Sequence, residues 1–220
     1  MTTEAYARVE IRKARKEDVS FVAWVMLAAA RSHLERGTWD LLLDRPEDEC
    51  LRYLTLLAST DAEHYGHYSG FLVAEVDGEP AAALCGYFEE ERGPATLVPA
   101  MEAVSAAFGM SEADVAAGWA RAGSIALVMP EHVERAWVVE WVATKPAFRR
   151  RGLVDRLLAE ILDVGRDRGA STADIGVLMG NDAAQRAYEK AGFEVVDEKR
   201  HPEFEAAYRC PGVRSLRRSI

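Results

Sequence analysis

Between Phe148 and Ala170 the chain reads FRRRGLVDRLLAEILDVGRDRGA. Three arginines and a glycine stand directly ahead of an amphipathic pattern, in a protein whose formal net charge is -9. A strand stopped by Pro146, a short loop rich in donors and then a helix make an arrangement that holds phosphate. The helix N-terminus leaves N–H groups unpaired and carries the positive end of the dipole. Gly152 has no side chain to keep the backbone from an anion. Arg149, Arg150 and Arg151 add charge and forked donors. Loop and helix together suit a pyrophosphate. By themselves they also fit a solvated basic run, and the glycine pattern is neither a P-loop nor a dinucleotide fingerprint.

Other residues invite chemistry. Glu140 is the lone acid inside the apolar run WVVEWVAT. A carboxylate within a central strand is either paired or placed in a cavity. Glu134 and His132, just upstream, are further acid–base candidates. Asn181 stands ahead of a helix and suits its N-cap, although Asp182 with Gln185 also reads as a capping box that would leave Asn181 free. Trp39 and Asp40, in the apparent loop GTWDLLLDR, suit stacking on a cation and pairing with it. They equally suit plugging the end of a sheet and capping a turn. Tyr65, His67 and Tyr68 in DAEHYGHYSG precede a hairpin and are weaker candidates for the same pocket.

The elements that must position these residues follow from periodicity. ARVEIRKA alternates as a first strand. Residues 16–36 read as a helix ended by Gly37, and PEDECLRYLTLL as a second, with Pro46 at its start. SGFLVAEVDGEPAAALCGYFEE reads as a hairpin around Asp77-Gly78. Helical spacing returns from Pro94 to about Gly123, where Ser111 is an N-cap. RAWVVEWVATKP is a strand. The helix after it buries Val154, Leu157, Leu158, Ile161 and Leu162. TADIGVLM, FEVVDEKR and GVRSLRRS are strands, and NDAAQRAYEKAG is a helix stopped by Gly192. GVRSLRRS has the arginines of a protected edge strand. The order predicts a mixed α/β or α+β fold with one βαβ crossover.

Composition narrows the class. The chain has 220 residues, 49% hydrophobic and 29% charged, and no apolar run of membrane-spanning length. The acidic balance disfavours broad nucleic-acid binding. Three scattered cysteines make neither a disulfide framework nor a metal cluster and predict buried thiols in a reducing cytoplasm. No secretory signal is visible.

VEWVATKPAFRRRGLVDRLL, followed by GNDAAQRAYEKAGFEVV, resembles the GCN5-related N-acetyltransferase (GNAT) superfamily. Its phosphate loop, Arg/Gln-x-x-Gly-x-Gly/Ala, is matched by Arg149-Arg150-Arg151-Gly152-Leu153-Val154. Its later motif is matched at Asn181, Ala184, Tyr188, Glu189, Lys190, Gly192 and Phe193. The strong resemblance covers about residues 135–200. Val154 departs from the pattern, and a β-branched residue there bears on cofactor affinity unless it turns into the core.

The resemblance implies a single domain over 1–220 with a helical insertion at about 94–123. Its central sheet would be mixed, mainly antiparallel, flanked by helices and splayed at the cofactor site. It implies acetyl transfer from acetyl-CoA to a primary amine in a ternary complex, with no metal. Val142, Ala143 and Thr144 would pair with the pantetheine arm. Arg149, Arg150, Arg151, Gly152, Leu153 and Val154 would hold the pyrophosphate, and Asn181 and Ala184 would complete the cofactor site. Tyr188 would protonate the departing thiolate, and Glu140 would be the base. The acceptor would be a small-molecule or peptide amine, walled by the first helices with Trp39 and Asp40. No nucleic acid or membrane is implied as partner, and a homodimer is compatible. A longer acyl donor, a protein acceptor and a CoA-binding sensor without turnover stay open as alternatives.

Overall fold

The computed structural model describes residues 8–131 and 133–220. Strand β1 spans Val9–Lys13, followed by helices α1 (Val19–Arg31), α2 (Thr38–Leu43) and α3 (Glu47–Leu57). A hairpin of β2 (Phe71–Val76) and β3 (Glu79–Phe88) leads to α4 (Glu89–Arg92), α5 (Pro94–Ala107) and α6 (Glu112–Ala122). Then come β4 (Trp137–Thr144), α7 (Leu153–Asp167), β5 (Thr172–Leu178) and α8 (Asp182–Lys190). The described chain closes with β6 (Glu194–Arg200), α9 (Pro202–Tyr208) and β7 (Gly212–Ser219).

The strands form a seven-stranded sheet in the order β1-β2-β3-β4-β5-β7-β6. β4 and β5 run parallel, and every other neighbouring pair is antiparallel. The parallel pair requires a crossover, and α7 supplies it. One face of the sheet carries a core built with α1, α2, α3 and α5, in which Val22, Met26, Leu54 and Leu57 are buried. The other face carries α7 through Leu157, Leu158, Ile161 and Leu162, together with Tyr188 and Phe193. Each fully buried Leu or Ile is worth roughly 1.5–3 kcal/mol, so this stripe anchors the crossover firmly. Val154 packs against the same core and is half-buried. The turn Asp77-Gly78 has positive φ at both residues, as the dipeptide predicts. Cys50, Cys85 and Cys210 are buried free thiols.

Four expectations need correction. α1 stops at Arg31, because Ser32 takes a positive φ of 56°. Gly37 does not end it. Gly37 is the N-cap of α2, packed so closely that a Cβ would lie 2.4 Å from the Ala30 carbonyl. The expected loop 37–45 therefore contains a helix. Its residues Trp39–Leu43 are all buried, so no alternation of apolar and polar positions announces it. α9 was not expected at all, although Pro202 at its first position and acids in its first turn support it. Finally, β7 is interior, since β6 pairs along its outer side. Its arginines meet partners: Arg217 pairs with Asp174 at 2.7 Å and Arg214 with Glu198 at 2.6 Å.

Candidate active site

The loop from β4 to α7 is shaped by two left-handed residues, Arg150 (φ 63°) and Gly152 (φ 70°). Alternating handedness turns successive N–H groups to one side, which makes a concave anion-binding nest. Gly152 caps α7 without any side-chain hydrogen bond, so the first N–H groups of a fifteen-residue helix keep no side-chain acceptor. Arg149 and Arg150 are exposed and join no ion pair among the described residues. Arg151 lies over the Phe148 ring at 5.2 Å. Asp155, the acid in the first turn, is drawn off by Lys190 at 2.6 Å. Nest, dipole and uncompensated guanidiniums fit a pyrophosphate.

β4 and β5 pair only from Trp137–Val139 to Ala173–Ile175. Beyond that the two strands part. β4 stays attached to β3 as far as Thr144, and β5 to β7 as far as Leu178. Val142, Ala143 and Thr144 line the parting from the β4 side and are half-buried.

A bulge sits at the fork. Cys85 faces Glu140 and Ala83 faces Ala143, so Leu84 of β3 opposes both Trp141 and Val142. Trp141 takes φ 54°, rare for a bulky residue. Strand alternation breaks there. Glu140 and Trp141, neighbours in sequence, thus meet the same face as α1. The Tyr87 hydroxyl donates to Glu140 Oε2 at 2.7 Å. The Trp141 ring stacks on Tyr65 at 5.9 Å and lies 6.0 Å from Trp39. Tyr65 stacks on Tyr87 at 5.1 Å. Burial pushes the Glu140 carboxyl up to about 7, the Tyr87 hydrogen bond opposing and the charge of Glu89 adding. The indole N–H groups of Trp39 and Trp141 and the Thr144 hydroxyl are buried without partners among the described residues.

Tyr188 lies on α8, buried on the α7 face, opposite to Glu140. Burial pushes its phenol above the usual value, which keeps it protonated. Glu140 and Tyr188 thus lie on opposite sides of a sheet whose strands β4 and β5 leave each other unpaired beyond Val139 and Ile175. Asn181 is itself the N-cap of α8: its Oδ1 accepts from Ala184 N at 3.1 Å. Its Nδ2 donates to Ser32 Oγ at 2.6 Å, tying α8 to the end of α1. The expected Asp182–Gln185 capping box does not form, because Gln185 bonds Glu189 and Arg214. Trp39 is buried beside Trp141, whereas Asp40 is spent elsewhere. It receives Arg31 at 2.8 Å and the Gly37 N–H at 2.9 Å. Burial works against its charge, but these bonds hold the carboxyl below its usual range. Glu134 is exposed, and His132 lies outside the described residues. His67 and Tyr68 contact each other at 4.5 Å, with His67 against His64, so of the loop's aromatic residues it is Tyr65 that stacks on the Glu140 cluster. Tyr87 gave no sign in sequence, because its partner comes from the adjacent strand.

A model of the acetyltransferase (GNAT) family matches residues 37–193. No curated protein matches the chain in sequence. Among solved structures, an acetyltransferase is 19% identical with TM-score 0.69, covering 96% of this chain and 99% of its own. An N-acetyltransferase from Staphylococcus aureus Mu50 is 22% identical with TM-score 0.65, covering 95% and 100%. YncA from Salmonella typhimurium, solved with its cofactor acetyl-CoA, is 16% identical with TM-score 0.52, covering 96% and 93%. At these identities the structures speak for the fold, and the family match over residues 37–193 speaks for kinship: the chain belongs to the GNAT acetyltransferase family.

Proposed function

We propose that the protein, within its family's transfer of acyl groups from acetyl-CoA to amines, moves acetyl to a primary amine by direct attack in a ternary complex. The observation that carries this reading is the half-buried Glu140 carboxyl, bonded by Tyr87, at the fork where β4 and β5 separate. The nest at Arg149–Val154 holds the pyrophosphate. Val142, Ala143 and Thr144 offer strand backbone to the pantetheine arm. Asn181 joins the cofactor site by exchanging its Ser32 contact, with Ala184 beside it.

An aliphatic amine arrives as an ammonium, with a pKa near 10. Glu140 in its ionised form removes one proton, and the freed lone pair forms the C–N bond at the thioester carbonyl. As the C–S bond breaks, Tyr188 gives its proton to the departing sulfur. The second proton of the attacking nitrogen restores the Tyr188 phenol, so one proton is released overall, from Glu140 to solvent. Trp39, Trp141 and Tyr65 form an aromatic wall next to Glu140, where an ammonium is attracted to ring faces.

The test is turnover across a panel of polyamines, amino acids, aminoglycosides, arylamines and short peptides, with acetylated products read by mass spectrometry. An acetylated amine formed by the wild type and lost in Tyr188→Phe supports the reading. Acetyl-CoA binding without any product in the panel sinks the small-amine assignment.

A further inference from the structure

We infer that Tyr87 is a positioning residue for Glu140: it pins one carboxylate oxygen so that the other faces the acceptor. The inference rests on the reading of Glu140 as the base. Three observations place the tyrosine. Its hydroxyl donates to Oε2 at 2.7 Å, within the range of a strong bond to a carboxylate. Its ring is held by Tyr65, stacked at 5.1 Å and 15°, and Tyr65 is held in turn by Trp141 at 5.9 Å and 9°. Its strand is fixed in register, with Tyr87 opposite Val138 and Cys85 opposite Glu140. The hydroxyl therefore has one place to be, and the carboxylate is met by it there.

The bulge gives this contact its consequence. Because Trp141 shares a face with Glu140, the carboxylate lies between an aromatic wall and the fork. A carboxylate free to rotate would spread its basic lone pairs over several directions. With Oε2 committed to Tyr87, Oε1 is the oxygen left to take a proton. The groups facing it are Tyr87 and Cys85 from β3, Tyr65 from the preceding loop and Glu89 from α4. The charge among them is Glu89, of like sign. Among these neighbours the Tyr87 hydroxyl is the group that favours the ionised form. Tyr87 thus does two things through one bond: it aims the base and keeps it ionised closer to neutral pH.

The experiment follows the side-chain carboxyl carbon of Glu140 by NMR in 13C-glutamate-labelled protein, with Glu140→Gln to assign the resonance. The wild type is expected to titrate near 7. In Tyr87→Phe, which preserves ring and packing, the midpoint is expected to rise by about one to two pH units. An unmoved midpoint overturns the inference. Turnover is then read against pH with an amine from the panel above. Tyr87→Phe is expected to lose about tenfold or more in kcat/KM below pH 7 and to regain most of it at alkaline pH, with acetyl-CoA affinity unchanged. A loss equal at every pH marks a merely structural role and overturns the inference. The two readings fail separately: a Glu140→Gln enzyme that keeps the wild-type acid limb removes Glu140 as base, whatever the NMR midpoint of Tyr87→Phe.

Discussion

At the scale of the residue, the environment of Glu140, the base in the proposed reaction, sets a sign. Its carboxyl is raised to about 7, chiefly by burial. A base must be ionised to work, so kcat/KM is expected to climb as pH rises through about 7 and to level off above it. Glu140→Gln is expected to lower kcat/KM by about 10²–10⁴-fold while leaving acetyl-CoA binding intact by calorimetry. A flat pH profile between 5 and 8 would contradict the assignment. Glu140 was legible in sequence because one acid in an apolar run needs a reason to be there. Tyr87 was not legible, since nothing local in GYFEE reports a hydroxyl aimed across to the next strand. Asp40 was legible as a functional type but not by role, because Arg31 and the start of α2 claim it.

At the scale of elements, sequence reading succeeded where periodicity is long and failed where it is short or broken. α7 declares its buried stripe over fifteen residues. α2 has six residues, most of them buried, and offers no period to read. The β4 bulge occurs at a tryptophan, with no glycine to announce the left-handed backbone. β7 looked like an edge from its arginines, but strand order is a tertiary property and the arginines serve pairs within the sheet. The turn from β4 into α7 is where the sequence places it, and the test of its proposed pyrophosphate role is local. Gly152→Ala is expected to cost about 1–2 kcal/mol in denaturant unfolding, because a Cβ is placed on a left-handed backbone. It is also expected to weaken CoA binding, measured by calorimetry. A variant with wild-type stability and affinity would show that the left-handed cap is dispensable.

Across the whole molecule, two groups shifted by desolvation, the buried His64 and the half-buried Glu140, titrate in opposite senses. His64 is fully buried and neutral: its Nδ1 accepts from Gly66 N at 3.0 Å and its Nε2 faces Leu57 O at 3.1 Å. Burial lowers its pKa from 6.5 to about 4. The unfolded chain takes up that proton first, so His64 costs stability as pH falls from about 6.5 to about 4. Glu140 acts the other way. Its folded pKa of about 7 lies above the usual 4.5, so the folded protein takes up that proton first and gains stability as pH falls across the same region. Removing Glu140 removes the gain. The difference in Tm between Glu140→Gln and wild type is therefore expected to favour the variant at pH 8 and to shrink or reverse by pH 5. A difference that does not vary with pH would show that Glu140 titrates normally.

The parting of β4 and β5 has a consequence for how the protein endures when it is not turning over. Two inner strand margins lie without each other's hydrogen bonds beyond Val139 and Ile175. If the pantetheine arm occupies that gap, the metabolite is a temporary structural member, and the fold is completed by what it consumes. Binding to the folded state alone stabilises by about 2.7 kcal/mol at a hundredfold excess over Kd. Amide hydrogen exchange in Val142–Thr144 should then slow when CoA is added, and proteolytic lifetime should track the acetyl-CoA supply. Scarcity of the acyl donor would lower not only the rate of this enzyme but its abundance.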